Sequence, residues 1–187
     1  RTIQARFGST PLADRLEQVT HRTAFTDDDA SFIGDSSFFF LATSDKDGRP
    51  DCSYKGGAPG FVRVISPQML VFPDYDGNGM FRSLGNVAVN AQVGLLFIRM
   101  GEAPKRVRVN GRAEVWFDDP LLAGMPDAQA IVRVTPEHIF PNCPRYVHDL
   151  PGGALSPYTP AEGQIPQEPA WKSFDSFKDV VPQRKGG

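Results

Sequence analysis

The groups best suited to hold an anion fall in three separated segments: Ser53 and Lys55; Asn78, Arg82 and Ser83; Arg106 and Arg108. Arg82 and Ser83 follow a polar, glycine-rich stretch. They open a pattern in which Met80, Leu84, Val87 and Ala88 share one apolar helical face. The spacing places Asn78 as N-cap, so Arg82 and Ser83 stand in the first turn, where free backbone N–H groups and the positive end of the helix dipole favour an anion. Many surface helices begin this way and bind nothing. Combined with two or three further cations, the set suits a dianionic phosphate, because charge-assisted hydrogen bonds are the strong ones. Between Gly56 and Gly60 the backbone lacks a Cβ at three positions and would let a flat ring approach. No histidine stands beside a nucleophile, and no carboxylate pair has an evident acid–base role. Binding a phosphate and a ring without such machinery leaves the chemistry to a cofactor.

These groups need elements to position them. Pro11 to His21 is helical, with Thr10 as N-cap and Leu12, Leu16 and Val19 on one side. Thr26 and the carboxylates of Asp27, Asp28 and Asp29 open a second, short helix that turns Phe32 and Ile33 inward, a solvated helix start rather than a metal cluster. Ser37 to Ser44 is a strand-length apolar run, Asp45 to Pro50 is turn chemistry, and Asp51 to Lys55 returns as its hairpin partner. Phe61 to Ile65 and Met69 to Phe72 are further strands, followed after the central helix by Val93 to Arg99. Arg106 to Trp116 alternates valines with charged residues, and Gly111 marks a bulge. Asp118 to Met125 forms a helical turn, and Gln129 to Thr135 is a last strand ending at Pro136. Six or seven strands joined mostly by hairpins, with a few short helices, predict an all-β-dominated antiparallel barrel.

After Pro136 the prolines at 141, 144, 151, 157, 160, 166 and 169 prevent any long element. Apolar residues still recur there, so the segment reads as an arm laid over the barrel or a partner, with a short helix near 171–180. The expected organisation is one domain: helical segment 1–35, barrel core 36–135 and proline-rich arm 136–187.

A chain of 187 residues with a net charge of −2 is large enough for a real core and argues against binding nucleic acid by phosphate neutralisation. Two cysteines, Cys52 and Cys143, are too few for a disulfide scaffold and lack metal-ligand spacing; Cys143 has no paired base that would make it a catalytic thiol. His138 and His148 read as surface or interface residues. With no membrane-length apolar run and no signal-peptide pattern, the expectation is a soluble cytoplasmic protein.

Five segments, in this order and spacing, resemble the pyridoxamine 5′-phosphate oxidase-like, FMN-binding split-barrel family. They are residues 40–51 (Phe-Leu-Ala-Thr-Ser-Asp-Lys-Asp-Gly-Arg-Pro-Asp), 53–62 (Ser-Tyr-Lys-Gly-Gly-Ala-Pro-Gly-Phe-Val), 73–78 (Pro-Asp-Tyr-Asp-Gly-Asn), 90–97 (Asn-Ala-Gln-Val-Gly-Leu-Leu-Phe) and 106–113 (Arg-Val-Arg-Val-Asn-Gly-Arg-Ala). Asn-Cys-Pro-Arg-Tyr at 142–146 is similar to the C-terminal signature of a branch of probable FMN-dependent enzymes. The resemblance implies a split β-barrel that dimerises, with FMN in a cleft at the subunit interface. It implies Arg82 as the phosphate-binding arginine, with Ser53, Lys55, Gly56, Phe61, Val62, Pro73, Asp74, Asn78, Ser83 and Arg106 around the cofactor. Asn142, Arg145 and Tyr146 would reach it from the arm. Three departures from the family pattern count against oxidation of pyridoxamine phosphate itself. Ser83 stands where the family has a lysine, so Lys55 or Asn78 must compensate; Pro73-Asp74 replaces Tyr-Thr; Arg106 replaces a glutamine.

The expected function is therefore an FMN-dependent oxidoreductase, reduced by a nicotinamide or another donor and acting on a small substrate. The alternatives are a non-catalytic binder of FMN, haem or deazaflavin F420, and an interaction module built on the arm.

Overall fold

The computed structural model describes residues 2–100, 103–143, 147, 162–163, 173 and 175. Seven strands form one antiparallel sheet: β1 (Phe38–Ser44), β2 (Pro50–Gly56), β3 (Arg63–Ser66), β4 (Met69–Tyr75), β5 (Gln92–Arg99), β6 (Lys105–Trp116) and β7 (Ala128–Asn142). Their order is β2-β1-β5-β6-β7-β4-β3. The hairpins β1–β2, β3–β4, β5–β6 and β6–β7 are local pairs, and the β1–β5 and β4–β7 pairings join them across the chain. The helices are few and short: α1 (Thr2–Arg6), α2 (Thr10–Thr20), α3 (Asp27–Gly34) and α4 (Arg82–Val89), with a 3-10 turn at Pro120–Gly124. None of the described helices is long and apolar enough to cross a membrane.

The sheet curls into a split barrel around the alternate residues of each strand. Phe39, Leu41, Val93, Leu95, Phe97, Val107, Val109 and Val134 are all buried inside it. Phe39 is the hub: its ring centroid lies 5.0 Å from that of Phe72, 5.1 Å from Phe97 and 6.0 Å from Phe61. Contacts from β1 to both β5 and β4 show how far the curl brings remote strands together. A second small cluster, Val71, Met125 and Ile131, covers the other face of β4 beneath the 3-10 turn.

Local chemistry accounts for most element ends, and several differ from the sequence expectation. α3 is held by a capping box in which the Thr26 hydroxyl accepts from the Asp29 amide while Asp29 accepts from the Thr26 amide. Phe32 and Ile33 are buried as expected. The N-cap of α2 is Ser9, not Thr10, and Leu12, Leu16 and Val19 on that helix are exposed. β4 continues through Pro73 to Tyr75, and β7 does not stop at Pro136 but reaches Asn142. Pro136 is accommodated by the expected bulge: the β6–β7 register shifts between Asn110 and Gly111, and Gly111 lies opposite Pro136. A Cβ on Gly111 would collide with the Thr135 carbonyl, so no other residue fits there without backbone movement.

The central helix departs most. α4 begins at Arg82, not in the Asn78 region, and its N-cap is Phe81. Asn78 instead closes a local turn by accepting from the Met80 amide at 3.0 Å. Met80, expected on the buried face, lies outside the helix and is exposed, and Ala88 is exposed too. The face that packs inward carries Ser83 and Val87, with Leu84 partly buried.

Candidate functional site

On the inward face of β2, alternation places Asp51, Ser53 and Lys55 in a row, in register with Thr43, Leu41 and Phe39 of β1. Each member of the row meets a different partner. Arg82 Nε lies 3.2 Å from Asp51 Oδ1, the Ser83 hydroxyl donates to the Ser53 hydroxyl at 3.3 Å, and Lys55 Nζ lies 3.7 Å from Asp74 Oδ1 on β4. Further along α4, Asn86 Nδ2 donates to the Thr43 hydroxyl at 2.9 Å and Asn90 Nδ2 to the Ser44 hydroxyl at 2.8 Å. Positions 83, 86 and 90 share the face of Val87, so α4 is fixed along β1 and β2 by a polar seam. Asp51, Thr43, Asn86 and Asn90 were missed in the sequence. The spacing of Ser83, Asn86 and Asn90 around Val87 was the signal available.

The start of α4 is open in a specific way. Phe81 adopts a left-handed conformation, φ 48°, and offers no side-chain cap. The first backbone bond of the helix runs from the Gly85 amide to the Phe81 carbonyl at 2.7 Å, which leaves the amides of Arg82, Ser83 and Leu84 ahead of the ladder. A left-handed phenylalanine is uncommon and costs energy, so its presence at an uncapped, arginine-bearing helix start is the kind of strain that gathers at binding sites. Ser83 is buried, while the Arg82 side chain is 66% exposed. Arg82 is thus free to reorient toward a ligand.

Asp74 is the buried charge of the cleft, 7% exposed. Burial pushes its carboxyl above the ordinary value; Lys55 opposes that shift and Asp76 reinforces it. Its neighbour Pro73 is buried in β4 opposite Ile131.

Other expected site residues divide between core and outer surface. Phe61 and Val62 are buried in the core, so only their backbone is available to a ligand. The space that Gly56 and Gly57 leave open is filled from within: a Cβ on Gly56 would meet the Tyr54 ring and one on Gly57 the Phe61 ring. Arg106 and Asn142 are cross-strand partners on β6 and β7. They lie on the opposite side of the sheet from Val107 and Val109, and therefore away from Lys55 and Arg82 of the same chain. Arg106 Nη2 donates to the Cys143 carbonyl, while Arg106 Nε and Asn142 Oδ1 are buried without a hydrogen-bond partner. Arg108 is exposed on that face beside the Phe140 ring, and His138 touches His21 with ring centroids 4.4 Å apart. Arg145, Tyr146, His148 and, apart from Ser173 and Asp175, the expected helix near 171–180 lie outside the described residues.

The groups at the start of α4 that suit a phosphate monoester are its leading amides and the Arg82 guanidinium, the latter paired with Asp51; the Ser83 hydroxyl is given to Ser53, and Lys55 stands next along β2 against Asp74.

A family model described as pyridoxamine 5′-phosphate oxidase matches residues 25–143. Among solved structures, a provisional pyridoxamine 5′-phosphate oxidase from Lactobacillus delbrueckii aligns at 23% identity over 65% of this chain and 99% of that one, with a TM-score of 0.51. HupZ from Group A Streptococcus aligns at 19% identity over 63% of this chain and 93% of that one, TM-score 0.50. At these identities the likenesses speak for the fold. No curated protein matches this sequence.

Proposed function

This chain belongs to the pyridoxamine 5′-phosphate oxidase family, and from that premise we propose that it is an FMN-binding flavoprotein acting as an oxidoreductase on a small substrate. One observation carries the reading: the uncapped start of α4, set by left-handed Phe81, brings Ser83 onto Ser53 and Arg82 onto Asp51 of β2, with Lys55 next along the same row. Arg82, Ser83 and the leading amides would hold the phosphate, and Lys55 and Asp74 would lie at the mouth of the split. Bound FMN would supply the hydride and electron chemistry, with the protein contributing binding, orientation and a dry wall.

The proposal includes a homodimer with the cleft at the subunit interface. Arg106 and Asn142 support it, because they face away from their own chain's cleft, so that a role at FMN would bring them to a second copy's. The outer surface that would meet the partner is apolar: Phe38 stacks on Tyr54 at 5.4 Å, Phe40 stands opposite Leu96, and Tyr54 is 63% exposed. The cytoplasm suits the two free, exposed thiols Cys52 and Cys143.

A second reading is a binder of FMN, haem or deazaflavin F420 without turnover: the split between β2 and β4 suits a planar anionic group, with Lys55 and Arg82 as the cations beside it. The visible spectrum of the purified protein decides. A flavin spectrum that bleaches anaerobically with NAD(P)H supports the oxidoreductase, and a flavin spectrum that no donor bleaches supports a binder. A protein that stays colourless with added FMN refutes both flavin versions.

A further inference from the structure

Two cations stand on the inward side of β2, one at each end of the Asp51–Ser53–Lys55 row, and each is already matched. Arg82 faces Asp51 at 3.2 Å and Lys55 faces Asp74 at 3.7 Å. A phosphate dianion entering this balanced set adds negative charge, and the residue next to Arg82 is the neutral Ser83 rather than a further cation. The two carboxylates can respond differently. Asp51 sits on an edge strand with its side chain 24% exposed and can turn to water. Asp74 cannot, because its side chain is 9% exposed on the inner face of β4. The charges acting on it are Lys55 from β2 and Asp76 from the loop that follows. β7 presents uncharged Ala130 opposite it, and the charge of α4 nearest the row, Arg82, is engaged with Asp51.

If Lys55 turns toward the ligand, Asp74 becomes a buried carboxylate beside an incoming anion, with its counter-charge gone. Ionised carboxylates in that position neutralise by protonation, because desolvation and like charge both disfavour the charged form. Burial already pushes this carboxyl upward even with Lys55 in place.

We propose that Asp74 sets the anion affinity of the cleft: entry of a phosphate-bearing ligand is accompanied by transfer of one proton from solvent to the Asp74 carboxylate, which frees Lys55 to serve as the second cation at the phosphate. The inference rests on the FMN reading and deepens it. Asp74 is a positioning residue here, acting on the ligand through Lys55.

FMN titrated into the full-length protein by calorimetry, in buffers of different ionisation enthalpy, counts the protons exchanged. At about pH 8 the phosphate monoester is already a dianion, so uptake reports the protein. The wild type takes up a substantial fraction of one proton per FMN. Asp74→Asn takes up none and binds about three- to tenfold more tightly, as a neutral side chain no longer competes for Lys55. Lys55→Met binds more weakly and also takes up none. Binding without proton uptake in the wild type overturns the proposal, and that result stands even where Asp74→Asn fails to fold. Uptake that survives in Asp74→Asn, or an Asp74→Asn protein that binds no more tightly, overturns it as well. A wild-type protein that binds no FMN at any pH refutes the FMN reading itself and with it this inference, a result distinct from binding without uptake.

Discussion

Lys55 Nζ and Asp74 Oδ1 lie 3.7 Å apart although β1, β5, β6 and β7 separate their strands in the sheet order. The contact exists because the sheet curls until β2, an edge strand, comes back over the inner face of β4. A split barrel is thereby closed at one point by an ion pair rather than by a ladder of backbone bonds. In the FMN reading a planar ligand would enter at that point without breaking secondary structure, beside the start of α4, whose Ser83 meets Ser53 of β2.

Arg82→Ala removes the guanidinium offered to the phosphate. The loss of one charge-assisted hydrogen bond corresponds to about 1.5–3 kcal/mol, roughly a ten- to hundredfold rise in the FMN dissociation constant. Thermal stability should hardly change, because this side chain is mostly exposed. Fluorescence titration of FMN measures the affinity, and an unchanged constant would refute the assignment.

Phe81→Gly relieves the left-handed N-cap, φ 48°. Removing that backbone strain should raise stability by about 1 kcal/mol, offset in part by the greater chain entropy of glycine. Urea midpoints compare the two proteins. A destabilised Phe81→Gly would mean that the exposed ring makes stabilising contacts that outweigh the strain.

Asp29 ties α3 to the segment before it. Burial alone would raise its carboxyl, but hydrogen bonds from Arg22 and from the Thr26 amide and hydroxyl outweigh that and hold it below the ordinary value of 3.8. The sign follows: a depressed folded pKa stabilises above the unfolded value, and the contribution fades as pH falls from there through the folded pKa. Asp29→Asn should cost about 2 kcal/mol near neutrality and flatten the acid limb of the stability curve. Urea unfolding from about pH 7 down to pH 3 tests this over the range set by the lowered carboxyl; parallel curves for the two proteins would contradict it.

Leu96→Glu places a charge at the centre of the outer apolar face, opposite Phe40. The expected result is a monomer by light scattering, with a folded barrel by circular dichroism and FMN affinity reduced at least tenfold, as Arg106 and Asn142 of the partner are lost. A variant that stays dimeric would move the interface elsewhere. A monomer that keeps full affinity would show that one chain holds the cofactor alone.

Period-two alternation, turn residues and caps are local signals, and they carried the strands, α3 with its Thr26 cap, and the bulge at Gly111. Local signals failed where tertiary contact overrode them. Asn78 read as N-cap and Met80 as helix in sequence, yet the chain turns there and α4 starts at Arg82, because packing on β1 and β2 selects the polar seam of Ser83, Asn86 and Asn90. Pro136 read as a strand end, yet β7 passes it, because the register shifts beside the proline, where Glu137 of β7 is the extra residue.

Arg82, Ser83, Ser53 and Lys55 were identifiable as candidates because residue type and spacing are written in the chain. Their partners were not. Asp51 against Arg82, Asp74 against Lys55, and the turning of Arg106 and Asn142 to the opposite side depend on how far the sheet curls and on which face each side chain points. The sequence by itself determined an antiparallel barrel and marked Arg82 and Ser83 as its candidate anion-binding residues. The curl of the barrel decided that both cations of the cleft already hold a carboxylate, because only closure brings β2, β4 and α4 within reach of one another.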